Sequence, residues 1–295
     1  MKNKKFIIKL KNEYLGRTYA VACGLLIIVL TLSIILFIFS KGIATFTNDR
    51  VSLFNFLFST AWSPDNEPAR YGALIFIAGS TLVSLGAVIL SAPISVALAI
   101  FMHYISPKFG KQILQPALEL FVGIPSVVYG WLGFSILLPL IKGVFGGIGF
   151  SLLAGIIVLS IMILPTIASI SADAVKVVPG SFMEASYGLG ATRWQTISKV
   201  IVPASKGGIL TGIVLGLARA FGEAMAVQMV IGNTLKLPNG LLSPTSTLTS
   251  ILAMEMGNTA SGSAWNDALW SMALLLLIIS FIFIFAIRVI GKRGE

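Results

Sequence analysis

The chain has 295 residues, of which 56% are hydrophobic and 11% are charged. Soluble globular domains are usually about a quarter charged, and a mean hydropathy of +0.95 is typical of a protein that is solvated mainly by a bilayer. The single cysteine and the single histidine, Cys23 and His103, exclude an intramolecular disulfide, a cysteine-based zinc site and a multi-histidine metal site. We therefore expect a polytopic membrane protein.

Six apolar stretches are long enough to cross a bilayer, which requires about 20 mostly apolar residues. In chain order they cover residues 19–40, 71–102, 120–141, 143–172, 207–235 and 268–287. These stretches predict an all-α fold with six transmembrane helices. Pro93 should kink the second helix, and Pro125 and Pro139 the third, where Ser126 is placed to satisfy the freed backbone groups.

Lysines and arginines are distributed unevenly between the two ends of these spans. Fifteen fall on the side of the N-terminus, five on the opposite side, and Arg219 lies within a span. Because positive residues concentrate on the cytoplasmic side of membrane proteins, both termini should be cytoplasmic, in a cell membrane. The topology also explains the net charge of +10 without a nucleic-acid partner. The first span is longer than the apolar core of a signal peptide, which indicates a retained anchor.

The chain divides into two parts. Residues 1–70 comprise the cytoplasmic N-terminus, the first span and an outer loop, and residues 71–295 comprise a core of five spans with a cytoplasmic loop at 173–206. The outer loop at 41–70 contains a short apolar patch at 53–58, which we expect at the membrane interface. In the second outer loop, at 236–267, residues 246–256 fit a short helix. Both outer loops are candidates for docking a soluble partner.

The inner loop contains a pattern typical of two short helices. Ser181 and Glu184 have the spacing of a capping box, and Gly190 suits the left-handed position after the first helix. An apolar face would consist of Phe182, Met183, Tyr187 and Leu189.

The second helix of this loop has its own start and stop signals. Thr192 and Gln195 repeat the capping-box spacing, and Pro203 should end the helix. The pattern predicts a helix–turn–helix outside the bilayer. An amphipathic helix that only rests on the membrane has the same pattern, so patterning alone leaves both interpretations open.

The same loop resembles a known motif. Glu184-Ala185-Ser186, three residues, Gly190, nine residues and then Val200-Ile201-Val202-Pro203 is similar to the EAA loop of ABC importer permeases, with Ser186 in place of the second alanine. The resemblance implies a type I importer permease of the MetI-like fold. In that family the loop forms a coupling helix, which would place Glu184, Ala185 and Gly190 in a groove of a cytoplasmic ATPase subunit. ATP and magnesium would then be bound by the partner, and this chain would hold no cofactor.

Two further stretches narrow the resemblance. Residues 119–130, ELFVGIPSVVYG, are similar to the third span of phosphate-specific permeases, and residues 216–227, GLARAFGEAMAV, resemble PstC-type more than PstA-type permeases. The implied function is the permease subunit of a phosphate importer. Its implied partners are a PstA-like second permease, a PstB-like ATPase dimer and a PstS-like extracytoplasmic phosphate-binding protein. A sulfate or molybdate permease and the PstA-type subunit remain alternatives.

Arg219 and Glu223 are the charged residues within the predicted fifth span, and they bracket its middle. A guanidinium keeps its proton at ordinary pH, so Arg219 must face protein, water or an anion. Glu223 follows four residues later, on the same face of a continuous helix, where it can pair with Arg219. The pair is therefore either a structural ion pair or a substrate pathway, in which Arg219 attracts phosphate and Glu223 holds or discharges it.

Other functional classes have less support in the sequence. No lysine stands in a Walker A pattern, so ATP hydrolysis is expected in another chain and this subunit is not expected to be an enzyme. An intramembrane enzyme would need a nucleophile–base pair or a metal cluster. One histidine, one cysteine and no paired carboxylates within a span do not supply such a site. A secondary transporter fits the six spans, but the inner loop argues against it.

Three smaller expectations concern single residues. Gly208, Gly212 and Gly216 are spaced four apart, as in a helix-packing stripe. Glu119 is expected to be solvated at the inner membrane boundary, and His103 to be interfacial without a ligand role.

Overall fold

The computed structural model describes residues 16–47 and 49–292, the last three of them by their backbone alone. The lysines before residue 16 and Arg293, which contribute to the predicted charge asymmetry, lie outside the described residues. Within these ranges the chain is mostly helical, as predicted.

The helices follow one another in this order: α1 Gly16–Gly42, α2 Ala44–Thr47, α3 Leu53–Phe58, α4 Leu74–Ile100, α5 Pro107–Phe109, α6 Gln115–Gly123, α7 Ser126–Leu132, α8 Leu138–Phe145, α9 Leu152–Lys176, α10 Gly180–Gly188, α11 Arg193–Thr196, α12 Val202–Ala204, α13 Lys206–Gly222, α14 Met225–Ile231, α15 Leu248–Glu255 and α16 Ala264–Lys292. Wider π-helical turns join several of them, at Phe101–Ile105, Gly110–Leu114, Gly133–Leu137 and Ile197–Ile201, and a 3₁₀ turn follows α15 at Met256–Asn258. Two short antiparallel strands, β1 Trp62–Ser63 and β2 Arg70–Tyr71, pair Trp62 with Tyr71.

Five helical segments of the described chain are long and apolar enough to cross a membrane: Gly16–Thr47, Leu74–Ile105, Ser126–Phe145, Leu152–Lys176 and Ala264–Val289. The number rises to six if Arg193–Ala204 and Lys206–Gly222, which meet at an angle of 68°, count as one span. The predicted polytopic α-helical fold is confirmed. The boundaries of the third, fourth and fifth spans differ from the prediction.

The predicted third span, 120–141, is interrupted at Pro125 rather than kinked, and the candidate span Ser126–Phe145 begins after the interruption. Helix α6 ends at Gly123, and Pro125 has an extended backbone before α7 begins (ψ 141°). Tyr129 is buried, and its hydroxyl donates to the carbonyl of Phe121 at 2.8 Å, which satisfies a backbone acceptor freed by the break. The side chain of Ser126, which the sequence predicts to satisfy the backbone groups freed at Pro125, makes no hydrogen bond among the described residues.

The fourth span begins at Leu152, nine residues later than predicted. Gly146, Gly147 and Gly149 all have φ between 76° and 87°, a backbone conformation that glycine adopts without steric penalty. They form the turn between α8 and α9, so the first nine residues of the apolar stretch 143–172 belong to the end of α8 and a glycine-rich connection and not to the fourth span.

The fifth span is also broken. Helix α13 ends at Gly222, and Glu223 has an extended backbone (φ −78°, ψ 123°) before α14 starts at Met225. The predicted continuous helix over 207–235 is therefore wrong, although both halves lie within that range.

Helix α9 is the centre of the bundle and packs against α4 and α13. Its buried side chains include Leu159, Ile163 and Ile167. A Cβ atom added to Gly216 would lie 2.5 Å from Cγ1 of Ile167, and one added to Gly208 would lie 2.3 Å from Cβ of Ala174. The glycine stripe therefore lets α13 approach α9 closely, which confirms its predicted packing role.

A second, smaller core lies at the opposite end of the bundle from the α10–α11 loop. It joins α3, the strands, α15 and the start of α16 through buried side chains that include Phe56, Trp62, Leu248 and Leu269. The predicted helix within 246–256 is confirmed as α15. It starts with a capping box between Thr247 and Ser250.

Candidate transport site and coupling loop

Arg219 lies in the last turn of α13, just before the break at Gly222. Its Nη1 atom donates to the hydroxyl of Thr166 on α9 at 2.9 Å, and this is its only hydrogen bond within the described chain. A guanidinium has five N–H donors. The half-buried side chain is therefore held by one neutral partner, and its other donors remain available to water or an anion.

Glu223 lies in the break and has partners of its own. Its Oε1 atom accepts from the backbone N–H of Ala226 at 3.0 Å, and its carbonyl accepts from the hydroxyl of Thr249 at 2.8 Å. Among the described residues, Arg219 and Glu223 form no ion pair with each other. The predicted pairing is wrong because the helix ends at Gly222, so the i,i+4 relation that would bring the two side chains together is lost.

Hydroxyl groups surround Glu223 on the side of α4 and α15. A cavity of about 10 Å³, room for roughly one water molecule, is lined by Glu223 together with Ser80, Ser84, Thr247 and Thr249. Sequence reasoning missed the four hydroxyl-bearing residues around Glu223, and it also missed Thr166. The available signal was the polar character of single positions within apolar spans, such as Ser80 and Ser84 four residues apart.

The helices that follow the breaks at Pro125 and Glu223 pack against each other. A Cβ atom on Gly130 of α7 would lie 2.8 Å from Sδ of Met229 and 3.0 Å from Cα of Ala226, both on α14. Non-helical backbone at membrane depth is tolerated where protein or a water-filled cavity surrounds it, and broken helices often form transporter binding sites. Next to the break in the fifth span lie the guanidinium of Arg219, with donors that no described residue uses, and the carboxylate of Glu223, and a guanidinium of this kind can bind a small oxyanion.

The predicted helix–turn–helix of the inner loop is confirmed. Helix α10 is followed by Gly190 with φ +79°, and Thr192 begins α11 with the predicted capping box to Gln195. The other predicted capping box is wrong: α10 starts at Gly180, preceded by Pro179, and makes no side-chain cap bond. The second helix continues one residue past Pro203 and then bends by 68° into α13.

The residues predicted to contact an ATPase lie on an exposed surface. Glu184 and Ala185 are exposed on α10, next to Phe182 and Leu189, whose side chains are 49% and 90% exposed. We call α10, the Gly190 turn and α11 the coupling elbow.

Two hydrogen bonds stiffen the coupling elbow. The hydroxyls of Ser186 and Thr196 are 2.9 Å apart and connect its two helices, which gives a structural role to the serine that departs from the EAA pattern. Arg193 donates to the carbonyl of Ile105 at 3.4 Å and ties the elbow to the end of the second span.

Glu119 and His103 lie at this same end of the bundle. Glu119 is exposed, as expected, and accepts a hydrogen bond from Gln115 at 3.3 Å. His103 lies half-buried in the turn that ends the second span, the boundary position predicted for it.

Comparison with known proteins identifies relatives over most of the chain. Residues 95–294 match the family described as "Binding-protein-dependent transport system inner membrane component". The chain is 51% identical to the probable ABC transporter permease protein YqgH of Bacillus subtilis, over 96% of this chain and 92% of the relative. It is 37% identical to the phosphate transport system permease protein PstC of Pasteurella multocida, over 82% of this chain and 81% of the relative.

A solved structure supports the fold. A chain of the MetNI methionine ABC transporter, in an inward-facing conformation, superposes with a TM-score of 0.57 at 19% identity, over 76% of this chain and 94% of that one. This likeness confirms the predicted MetI-like fold. The relatives, the coupling elbow and the membrane-spanning bundle together show that the chain belongs to the family of binding-protein-dependent transport system inner membrane components, the ABC transporter permeases.

Proposed function

We propose that this chain is the membrane-spanning permease subunit of an ATP-driven importer of inorganic phosphate. The observation that carries the proposal is Arg219, a permanently charged guanidinium in the last turn before the break at Glu223, with a single neutral hydrogen-bond partner among the described residues. A planar guanidinium recognises tetrahedral oxyanions because it can donate two parallel hydrogen bonds. The likeness to PstC proteins supports phosphate as the anion.

In this mechanism the chain's own residues bind and release the anion. Arg219 attracts phosphate into the break region. Glu223 lies in the same break, where its side chain accepts from the backbone N–H of Ala226, and it holds or discharges the anion between transport steps. Alternating access would then expose this region to each side of the bilayer in turn.

The energy and the substrate come from other subunits. The coupling elbow presents Glu184, Ala185 and Gly190 to a dimeric PstB-like ATPase, where ATP and magnesium are bound, so this chain needs no cofactor and catalyses no reaction. A PstA-like subunit forms the other half of the pathway. A PstS-like phosphate-binding protein docks on the outer layer formed by α3, the strands and α15. In this arrangement both termini are on the cytoplasmic side of the cell membrane.

Uptake of labelled phosphate tests the role of Arg219. We expect Arg219→Gln to reduce uptake by about tenfold to a hundredfold, the range for hydrogen bonds to a charged group, and Arg219→Lys to retain part of the activity. Lys142→Gln, at an exposed lysine of α8, is the matched control. Membrane abundance must be equal in all variants.

Two results would count against this proposal. Unchanged phosphate uptake in Arg219→Gln would remove Arg219 from any substrate role. Competition by sulfate or molybdate as strong as that by unlabelled phosphate would show that the importer serves another oxyanion.

A further inference from the structure

A polar cavity of about 260 Å³ lies at the end of the bundle that carries the coupling elbow, away from Arg219. Two helical walls face each other across it. One wall presents Lys111, Gln115 and Glu119, and the other presents Asp173 and Lys176 from the last turns of α9. His103, near the end of the second span, also lines the cavity.

The charges in this cavity balance but do not pair. Two ammonium groups and two carboxylates line it, yet the described residues contain no ion pair among them. The only hydrogen bond that any of these four side chains makes in the described chain is the one that Glu119 accepts from Gln115. Two positive and two negative side chains around one cavity are complementary to a ligand that carries both signs of charge.

The cavity lies at the level of the membrane boundary. The candidate spans Leu74–Ile105 and Leu152–Lys176 both end beside it. Its apolar floor is the cluster of Met102, Leu118 and Ala172.

Exposed apolar side chains continue from the cavity along the outside of the bundle. Ile113 and Leu120, next to the lining residues of the first wall, are 53% and 73% exposed. A ligand in the cavity could therefore place a charged group among the four charged side chains and its hydrocarbon along this surface.

We infer that this cavity binds the headgroup of a zwitterionic phospholipid that carries a primary ammonium, such as phosphatidylethanolamine. Its phosphate oxygens accept from the ammonium groups of Lys111 and Lys176, and its own ammonium donates to Asp173 and Glu119. A purely anionic ligand would meet the two carboxylates, and a quaternary ammonium has no N–H to donate. The volume suits a headgroup, since drug-sized ligands occupy pockets of about 300–1,000 Å³.

Lipid retention tests the inference. The full chain, purified in detergent with its partner subunits, is exchanged with equal amounts of phosphatidylethanolamine, phosphatidylcholine and phosphatidylglycerol, and bound lipid is measured by native mass spectrometry. We expect phosphatidylethanolamine to be retained about tenfold over the other two, and Lys111→Gln and Asp173→Asn each to lower its retention about tenfold. Lys108→Gln is the matched control, because Lys108 is exposed on the same segment but does not line the cavity.

Three outcomes would overturn the inference. They are equal retention of phosphatidylglycerol, unchanged retention in both cavity variants, and displacement of the bound lipid by millimolar inorganic phosphate, which would indicate a site for the free anion. Because Lys111 and Asp173 are exposed, both variants should fold, and an unchanged unfolding midpoint in lipid-free detergent checks this.

Discussion

Thr166 is the residue on which the position of Arg219 depends. It follows Pro165 within α9, and its hydroxyl is the only hydrogen-bond partner of the guanidinium within the described ranges. We expect Thr166→Val, which keeps the shape but removes the acceptor, to lower phosphate uptake about tenfold. Thr166→Ser should restore it. Uptake is measured at equal membrane abundance.

Thr211→Val is the control for this substitution, because the Thr211 hydroxyl is exposed and bonds only to the carbonyl of Gly207 on its own helix. A positioning role requires that Thr166→Val retain its unfolding midpoint while losing transport. If uptake and the midpoint fell together, Thr166 would serve the packing of α9 and α13 instead.

Glu255 gives the outer layer a pH dependence. It accepts hydrogen bonds from the indole N–H groups of Trp265 at 3.0 Å and Trp62 at 3.3 Å. Burial raises the pKa of its carboxyl above the ordinary value of about 4.5, opposed by these two hydrogen bonds, and the charge of Asp65 raises it further. A raised pKa in the folded state means that the protonated form is favoured by folding. Its stabilising contribution is therefore present in acid and is lost as the pH rises through that pKa.

Glu255→Gln tests this assignment, because the amide keeps an acceptor oxygen for the indoles but does not titrate. We expect the variant to match the parent in acid and to be slightly more stable at neutral pH, by less than about 1 kcal/mol because the carboxyl is only half-buried and solvent screens its charge. Unfolding midpoints between pH 4 and 7 measure the effect. A variant that is less stable than the parent at neutral pH would show that the ionised carboxylate stabilises the fold.

At the level of elements, the turn of the coupling elbow depends on one glycine. Gly190 has φ +79°, and an alanine there costs about 1–2 kcal/mol through contact of its Cβ with the backbone. Beyond the adjoining backbone, no atom lies within 4 Å of an added Cβ at Gly190 or at Gly188, so Gly188→Ala is a control that differs mainly in backbone conformation. We expect Gly190→Ala to reduce copurification of the ATPase subunit about tenfold and Gly188→Ala to leave it unchanged. If both variants copurified the ATPase subunit equally well, the Gly190 turn would not position the surface that contacts the ATPase.

Sequence patterns predicted the elbow better than the transport site, for a physical reason. Thr192, Gln195 and Gly190 act on backbone groups a few residues away, so their spacing reports the structure directly. The break at Glu223 instead depends partly on Thr249, which is distant in sequence and becomes a neighbour only in the folded chain. Hydropathy across 207–235 is continuous, and it therefore predicted one helix and an ion pair that the structure does not form.

The same distinction applies to the spans. The runs of apolar residues predict which segments cross the bilayer, because crossing depends on composition over about 20 residues. They could not predict that α7 and α14, the helices that follow the breaks at Pro125 and Glu223, pack together through Gly130 and Ala226. That contact exists only in the tertiary fold, which composition along the chain does not report.

For the whole molecule, the orientation in the membrane decides which partner each surface can reach. The coupling elbow and the outer layer lie at opposite ends of the bundle, so a single experiment tests both. In a Cys23→Ser background, Ser181→Cys on the elbow and Asn258→Cys after α15 each introduce one exposed thiol. We expect a membrane-impermeant maleimide to label Asn258→Cys in spheroplasts or protoplasts, and Ser181→Cys only in inverted membrane vesicles. The reason is that positive residues concentrate on the side of the elbow, which is therefore the cytoplasmic side. Labelling of Ser181→Cys from outside would place the elbow beyond the reach of a cytoplasmic ATPase, and the importer mechanism would be wrong whatever the role of Arg219.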